Sequence, residues 1–331
     1  MKKNLLNIIN SGFYTSFKSK YRVNYFVMKY NLILVILSLI IISIILSRGI
    51  FIKPSNIINL ILQNSIIGVL AMGQFLVILT GGIDLSVGSC LSASSMLCAL
   101  CFSRGYGILF SVLISIIFAT SLGFANGLII TKGKIPPFIA TLGMMEIARS
   151  LARLINYGSP IWEIPEYFNL FWKPLGPIPI LLIIWGIVFF SILILVNRTY
   201  YGRYIYAIGM NKDASRLSGV RVERIKLLVY TIMGTICGIA SIMFIGRLQY
   251  ASPDSGRMYN LDSIAAVLIG GTSLSGGKGA ASGVLLGMIV IGVITNLMNI
   301  MNINLFWQNG IKGMIILAII AYKNYLEVKV K

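Results

Sequence analysis

Histidine is absent, and acidic residues are scarce: 9 Asp and Glu stand against 28 Lys and Arg in 331 residues. Without histidine the chain lacks the commonest neutral-pH base and the commonest metal ligand. No paired carboxylates are spaced for acid–base work, so an intramembrane enzyme is disfavoured. A carrier driven by an ion gradient usually needs an acidic group at mid-membrane. Only Glu146 sits clearly within an apolar run, and Arg149 lies close to it. Cysteine is also rare. Cys90, Cys98, Cys101 and Cys237 all fall in apolar segments. Cys98 and Cys101 form a C-x-x-C, but no second pair and no histidine accompany them. They read as small buried apolar side chains, and no metal site is expected.

Charge of either kind is sparse at 11%, while 57% of residues are hydrophobic and the mean hydropathy is +0.88. A soluble core cannot absorb that much apolar surface, whereas runs of about 20 apolar residues can cross a bilayer. The expected fold class is all-α: a polytopic integral membrane protein of about ten transmembrane helices with Gly-interrupted segments. The apolar runs fall at 31–47, 57–79, 87–103, 107–131, 138–155, 178–196, 226–246, 260–272, 281–300 and 309–322. The eighth is short. The first has no small-residue cleavage site after it and reads as a retained helix.

The net charge of +19 would suggest nucleic acid in a soluble chain. Here its placement gives orientation instead, and no nucleic-acid partner is expected. With the N-terminus inside, inner segments hold 19 of the 28 Lys and Arg and outer segments hold 7. That bias places both termini in the cytoplasm. The expected organisation is a basic arm at 1–30, one transmembrane domain at 31–323 with a charged inner loop at 197–225, and a short tail at 324–331. The outer loop 156–177 is rich in proline and aromatics, and Trp162, Tyr167, Phe171 and Trp172 suit a membrane boundary.

The stretch Leu274-Ser275-Gly276-Gly277-Lys278 resembles both an ATPase signature and a phosphate-binding loop. The loop motif needs a glycine where Thr272 stands and a hydroxyl residue where Gly279 stands. The chain therefore does not hydrolyse ATP itself and needs no cofactor of its own. The same region takes part in an internal repeat. Residues 79–88 align with 268–277 at six of ten positions. Repeated Gly-interrupted apolar segments mark duplicated transporter halves with broken helices. The span count puts both copies on one side, which leaves the symmetry of the repeat open.

Three stretches carry a family likeness: "MGQFLVILTGGIDLSVGS" (72–89), "GRYIYAIGMNKDASRLSGVRVERIK" (202–226) and "YNLDSIAAVLIGGTSLSGGKG" (259–279). Together they resemble the ribose-type permease family of bacterial ABC sugar importers, with a likeness running from about 56 to 322. The resemblance implies a ten-helix permease in the bacterial cytoplasmic membrane that works as a pair. It implies two cytoplasmic ABC ATPase subunits, which use the ATP, and an extracytoplasmic sugar-binding protein. The second permease is either another copy or a homologue, and lipid surrounds the whole. Ribose is the type cargo; a nucleoside or a signalling sugar is the alternative within the family.

The resemblance also puts a coupling helix at Lys212, Asp213, Ala214, Ser215, Arg216, Leu217 and Ser218. Local signals agree with a short helix there. Asn211 can cap its start, Asp213 lies in the first turn, where negative charge is favoured, and Gly219 can stop it. A plain positive-inside loop is the alternative. Candidate sugar-pathway residues are Gln63, Asn64, Gln74, Asp84, Asn126, Glu146 and Asn296. Neutral amides suit sugar hydroxyls, and equally suit hydrogen bonds between helices. Asp84 follows a double glycine, where it either caps the next helix or contacts substrate. Glu146, Arg149 and Arg153 share one helix face. An internal Glu146–Arg149 ion pair is expected there, with sugar contact as the alternative. The outer loop, with Glu163, Glu166 and Lys173, is either a docking site for the binding protein or an aromatic anchor.

Overall fold

A computed structural model describes residues 32–171, 174–175, 178–304, 306–315 and 317–318. The basic arm, the C-terminal tail, Trp172 and Lys173 lie outside the described residues. Among the described residues, all ten expected apolar segments carry helices. They are α1 (Leu32–Leu46), α2 (Pro54–Leu79), α3 (Val87–Ser103), α4 (Ile108–Thr131), α5 (Pro137–Ile155), α6 (Ile180–Arg198), α9 (Val222–Leu248), α10 (Tyr259–Ile269), α11 (Ala281–Ile300) and α12 (306–315). Two more helices, α7 (Tyr200–Met210) and α8 (Lys212–Leu217), occupy the charged loop. A hairpin of two-residue strands, Pro174–Leu175 with Ile178–Pro179, stands in the outer loop. The protein is an all-α polytopic membrane protein.

By length and composition, α2, α4, α6, α9 and α11 can each cross a membrane. α10 has 11 residues, which at 1.5 Å per residue reach only about half of a 30 Å hydrocarbon layer. Such a helix needs protein on its flanks, and α10 packs on α11, α2 and α3. α2 lies at the centre. From Asn64 to Leu79 every residue is buried, and α9, α10, α11 and α6 surround it.

The tightest pairing joins α4 to α9, and small residues make it possible. Ala119, Gly123 and Gly127 line one face of α4 at four-residue spacing, opposite Tyr230, Gly234 and Gly238 on α9. A Cβ on Gly123 would lie 2.7 Å from the Cα of Gly234. Close backbone approach of this kind gives helices dispersion contact that lipid tails cannot replace. Beside this crossing, the hydroxyls of Ser94, Ser115 and Ser241 lie 2.7–3.3 Å from one another, joining α3, α4 and α9 inside the apolar core.

The internal repeat is a repeated helix ending. At the end of α2, Gly81 N–H donates to Ile78 O at 2.9 Å and Gly82 N–H to Val77 O at 3.1 Å. At the end of α10, Gly271 N–H donates to Leu268 O at 3.0 Å and Thr272 N–H to Val267 O at 3.2 Å. Both are Schellman motifs, and each needs a left-handed residue, Gly81 at φ 74° and Gly271 at φ 89°. Gly81 is therefore equivalent to Gly271, one residue away from the pairing with Gly270 that sequence identity suggests. The two endings touch, so both copies sit at the same end of the molecule.

Candidate functional site

The three stretches that carry the family likeness are far apart in sequence and meet in space. The α10–α11 loop folds back on itself, with Ser273 N–H donating to Lys278 O at 2.8 Å. Its Gly276 and Gly277 have φ of 87° and 69°, and Lys278 is exposed. It packs against protein where a phosphate cradle would leave open space. Gly277 N–H donates to the Leu79 carbonyl at 3.0 Å. Gly209, near the end of α7, fills the remaining space: a Cβ there would overlap both Leu79 O and Gly277 N. Tyr206, one turn earlier, donates its hydroxyl to Gly279 O at 2.8 Å. The ends of α2, α7 and α10 thus form one backbone-to-backbone junction.

α8 begins three residues beyond Gly209. Asn211 Oδ1 accepts from Asp213 N–H at 3.0 Å and from Ala214 N–H at 2.9 Å. Gly219 follows the helix at φ 83°. Arg216 pairs with Glu223 on the first turn of α9. Leu217 is 90% exposed, and Ser215 is the buried residue of the helix. α8 therefore presents a free surface while its base is fixed to α7 and α9.

On the other side of the junction, residues 80–86 run along α10. Leu79 meets Gly277, whereas Leu85 O accepts from Asn260 Nδ2 at 3.4 Å, at the opposite end of α10. Non-helical backbone at this depth survives because protein encloses it. Asp84 Oδ1 accepts from Ser86 N–H at 2.8 Å and from Ser86 Oγ at 2.6 Å. Asn126 Nδ2 donates to Ser86 Oγ at 2.9 Å. Asp84 thus closes a turn just before α3, as a capping group does, and α4 braces that turn. All three side chains are buried. The orphan Oδ1 of Asn126, the Tyr230 hydroxyl and both amide atoms of Gln74 are buried without partners among the described residues.

The other pathway candidates do not join this cluster. Asn296 forms a reciprocal amide pair with Asn56, at 2.9 and 3.0 Å, tying α11 to the start of α2. Asn64 is buried where α2 crosses Gly292 of α11, and its Nδ2 has no partner among the described residues. Gln63 is half-buried. Glu146 is exposed on α5, on a side shared with Leu142 and Ile147. The expected Glu146–Arg149 ion pair is absent among the described residues. Arg149 instead donates to Pro253 O and, at 3.2 Å, to Ser255 O. The 253–255 turn holds two carbonyls in place for the guanidinium, whereas Glu146 stands exposed on α5, where water competes for its carboxylate. Arg153 lies 3.7 Å from Asp254.

The outer loop is pinned where it meets the 249–255 segment. Ile161 and Ala251 exchange two 2.9 Å backbone hydrogen bonds. Trp162 stacks on Tyr250 with ring centroids 4.7 Å apart. One buried ion pair was not expected: Lys312 Nζ lies 2.9 Å from Asp262 Oδ2, joining α12 to α10. A lysine inside an apolar run needs a partner, and that signal was present in the sequence. Ser86 and Tyr230 were also missed, being a common residue type in apolar surroundings. The four cysteines are free and buried.

The family model described as branched-chain amino acid transport system / permease component matches residues 56–320. The ribose import permease of Bacillus subtilis (strain 168) is 41% identical over 271 residues, covering 81% of this chain and 84% of that one. The ribose import permease of Escherichia coli (strain K12) is 38% identical over 280 residues, covering 83% and 87%. The fructose import permease of Rhizobium meliloti is 33% identical over 310 residues, covering 89% and 85%. No solved structure matches the chain. With the matched region running from the first turn of α2 through α11 and including the junction that joins them, this chain belongs to the family of permease components of the branched-chain amino acid transport system type.

Proposed function

We propose that the chain is the membrane-spanning subunit of an ATP-driven importer for a monosaccharide, ribose or a related sugar. The family description names amino acids, but the similar permeases named for a cargo carry ribose, fructose, allose and arabinose. A sugar also suits the interior, which offers amides and hydroxyls and little charge. An ion-gradient carrier is not favoured: Glu146, the acidic group it would rely on, is exposed on α5.

The observation that carries the mechanism is the Leu79–Gly209–Gly277 junction at the base of α8. A partner ATPase that grips α8 would push on α7. Through Gly209, a push on α7 moves the ends of α2 and α10 together, because no side chain cushions the contact. The 80–86 segment and its Asp84–Ser86–Asn126 brace then carry the displacement into the membrane. Most candidate polar residues are enclosed within one chain, so the sugar path lies between two copies, with Glu146 on the face of α5 that borders it. The outer loop and its 249–255 neighbour receive a sugar-loaded binding protein. The charged segment 197–225, the basic arm and the tail face the cytoplasm, where the partner consumes ATP.

The test is sugar uptake in vesicles holding this chain, its partner ATPase and the binding protein, with and without ATP, beside Arg216→Glu. The expected result is uptake that needs ATP and the ATPase and collapses in the variant while the complex still assembles. Uptake that persists without the ATPase overturns the proposal.

A further inference from the structure

A cavity of about 420 Å³ opens beside α8, between α7 and the start of α9. Its floor is apolar, made by Ile225 and Leu228, and its rim carries Tyr200, Tyr204, Arg221 and Arg224. Both arginines are exposed. Among the described residues neither has an ion pair, because the nearby carboxylate of Glu223 is held by Arg216. The first turn of α9 has no side-chain cap, so its N–H groups and the positive end of a 27-residue helix add to the same field. Tyr200 packs against Tyr201 with centroids 4.1 Å apart, and its ring is half exposed.

The arrangement is layered: apolar below, aromatic at the edge, cationic at the mouth. Tyrosine rings suit the headgroup level of a bilayer, and basic pockets between helices on the cytoplasmic side suit anionic headgroups. We propose that this groove binds the phosphate of an anionic phospholipid of the inner leaflet, with the start of an acyl chain along Ile225 and Leu228. A soluble phosphate ester shares the anionic chemistry, but it has no use for the apolar floor. Because Val220 and Gly219 lead directly from α8 into the cavity lining, an occupied groove would stiffen the base of the coupling helix. The placement rests on the cytoplasmic orientation of 197–225 proposed above.

The experiment is native mass spectrometry of the detergent-purified full chain, loaded with phosphatidylglycerol or phosphatidylethanolamine. The wild type is expected to retain phosphatidylglycerol preferentially. Arg221→Ala/Arg224→Ala should weaken that retention by roughly tenfold to thirtyfold, at about 1 kcal/mol for each cation removed. Arg221→Lys/Arg224→Lys should keep most of it, which separates lost charge from lost folding. Unchanged retention in the alanine variant overturns the proposal, as does equal retention of both lipids. Displacement by excess inorganic phosphate would make this a soluble-anion site, and expulsion by the partner ATPase would make it part of that interface. Either result also overturns it. If retention depends on the arginines but uptake needs no ATPase, the groove stands and the importer reading falls.

Discussion

Gly209→Ala adds one methyl group where α7, α2 and α10 meet. That carbon would overlap the Leu79 carbonyl oxygen and the Gly277 amide nitrogen. Real Cβ atoms do not approach within 3.0 Å of such atoms, so the backbones must separate. Separation breaks the 3.0 Å bond from Gly277 N–H to Leu79 O, a loss of about 1 kcal/mol. Overpacking adds about 1–3 kcal/mol. The expected destabilisation is about 2–4 kcal/mol, a large share of the 5–15 kcal/mol that holds a typical domain. Gly186→Ala is the comparison, because nothing lies within 4 Å of a Cβ there. Thermal unfolding of the purified permease and vesicle uptake read the two effects. Gly209→Ala is expected to lower the midpoint and to lose transport in excess of the stability change, with ATP hydrolysis by the assembled complex continuing. Gly186→Ala should match the wild type. A Gly209→Ala permease that unfolds and transports like the wild type would refute the idea of a rigid junction.

Lys312→Met should cost about 3–5 kcal/mol by leaving Asp262 buried and unpaired, and Lys312→Met/Asp262→Leu should recover most of it in the same unfolding assay. Asn211→Ala removes both acceptor bonds at the start of α8, so about 1 kcal/mol of local helix stability is lost; uptake should fall while assembly, followed by co-purification with the ATPase, holds. Ser86→Ala takes a donor from Asp84 and strands the Asn126 amide, which should lower stability by about 1–3 kcal/mol. An unfolding midpoint unchanged from the wild type would show that this brace is slack.

The membrane helices were legible because an apolar run declares itself whatever it packs against. Even α10 stood out, as a run too short for a full crossing. α7 did not, because its arginine and four tyrosines make 200–210 look like more of a charged loop. The clue was the spacing of Gly202, Ile205 and Ile208, which put a narrow buried stripe on one side. The capped start of α8 was legible for the opposite reason: caps act over three residues, and sequence shows them directly. Side-chain partners across long separations were not. The i, i+3 spacing of Glu146 and Arg149 is real, but the arginine reaches carbonyls 104 and 106 residues away. Asn296 likewise finds Asn56 across 240 residues, which no local pattern announces. The Leu79–Gly277 contact is backbone to backbone, so composition carries only its shadow, a surplus of glycine.

The enclosure of α2 bears on how the chain is made. α2 leaves the ribosome ahead of α6, α9, α10 and α11, which cover it and follow much later in the sequence. Until they arrive, Asn64 and Gln74 must face lipid or an insertion chaperone. Biogenesis therefore has a waiting period built into the gene order. A chain stalled before Ile180 would hold an inserted but unsheltered α2, and the cell's membrane quality control would meet this protein first in that half-built form.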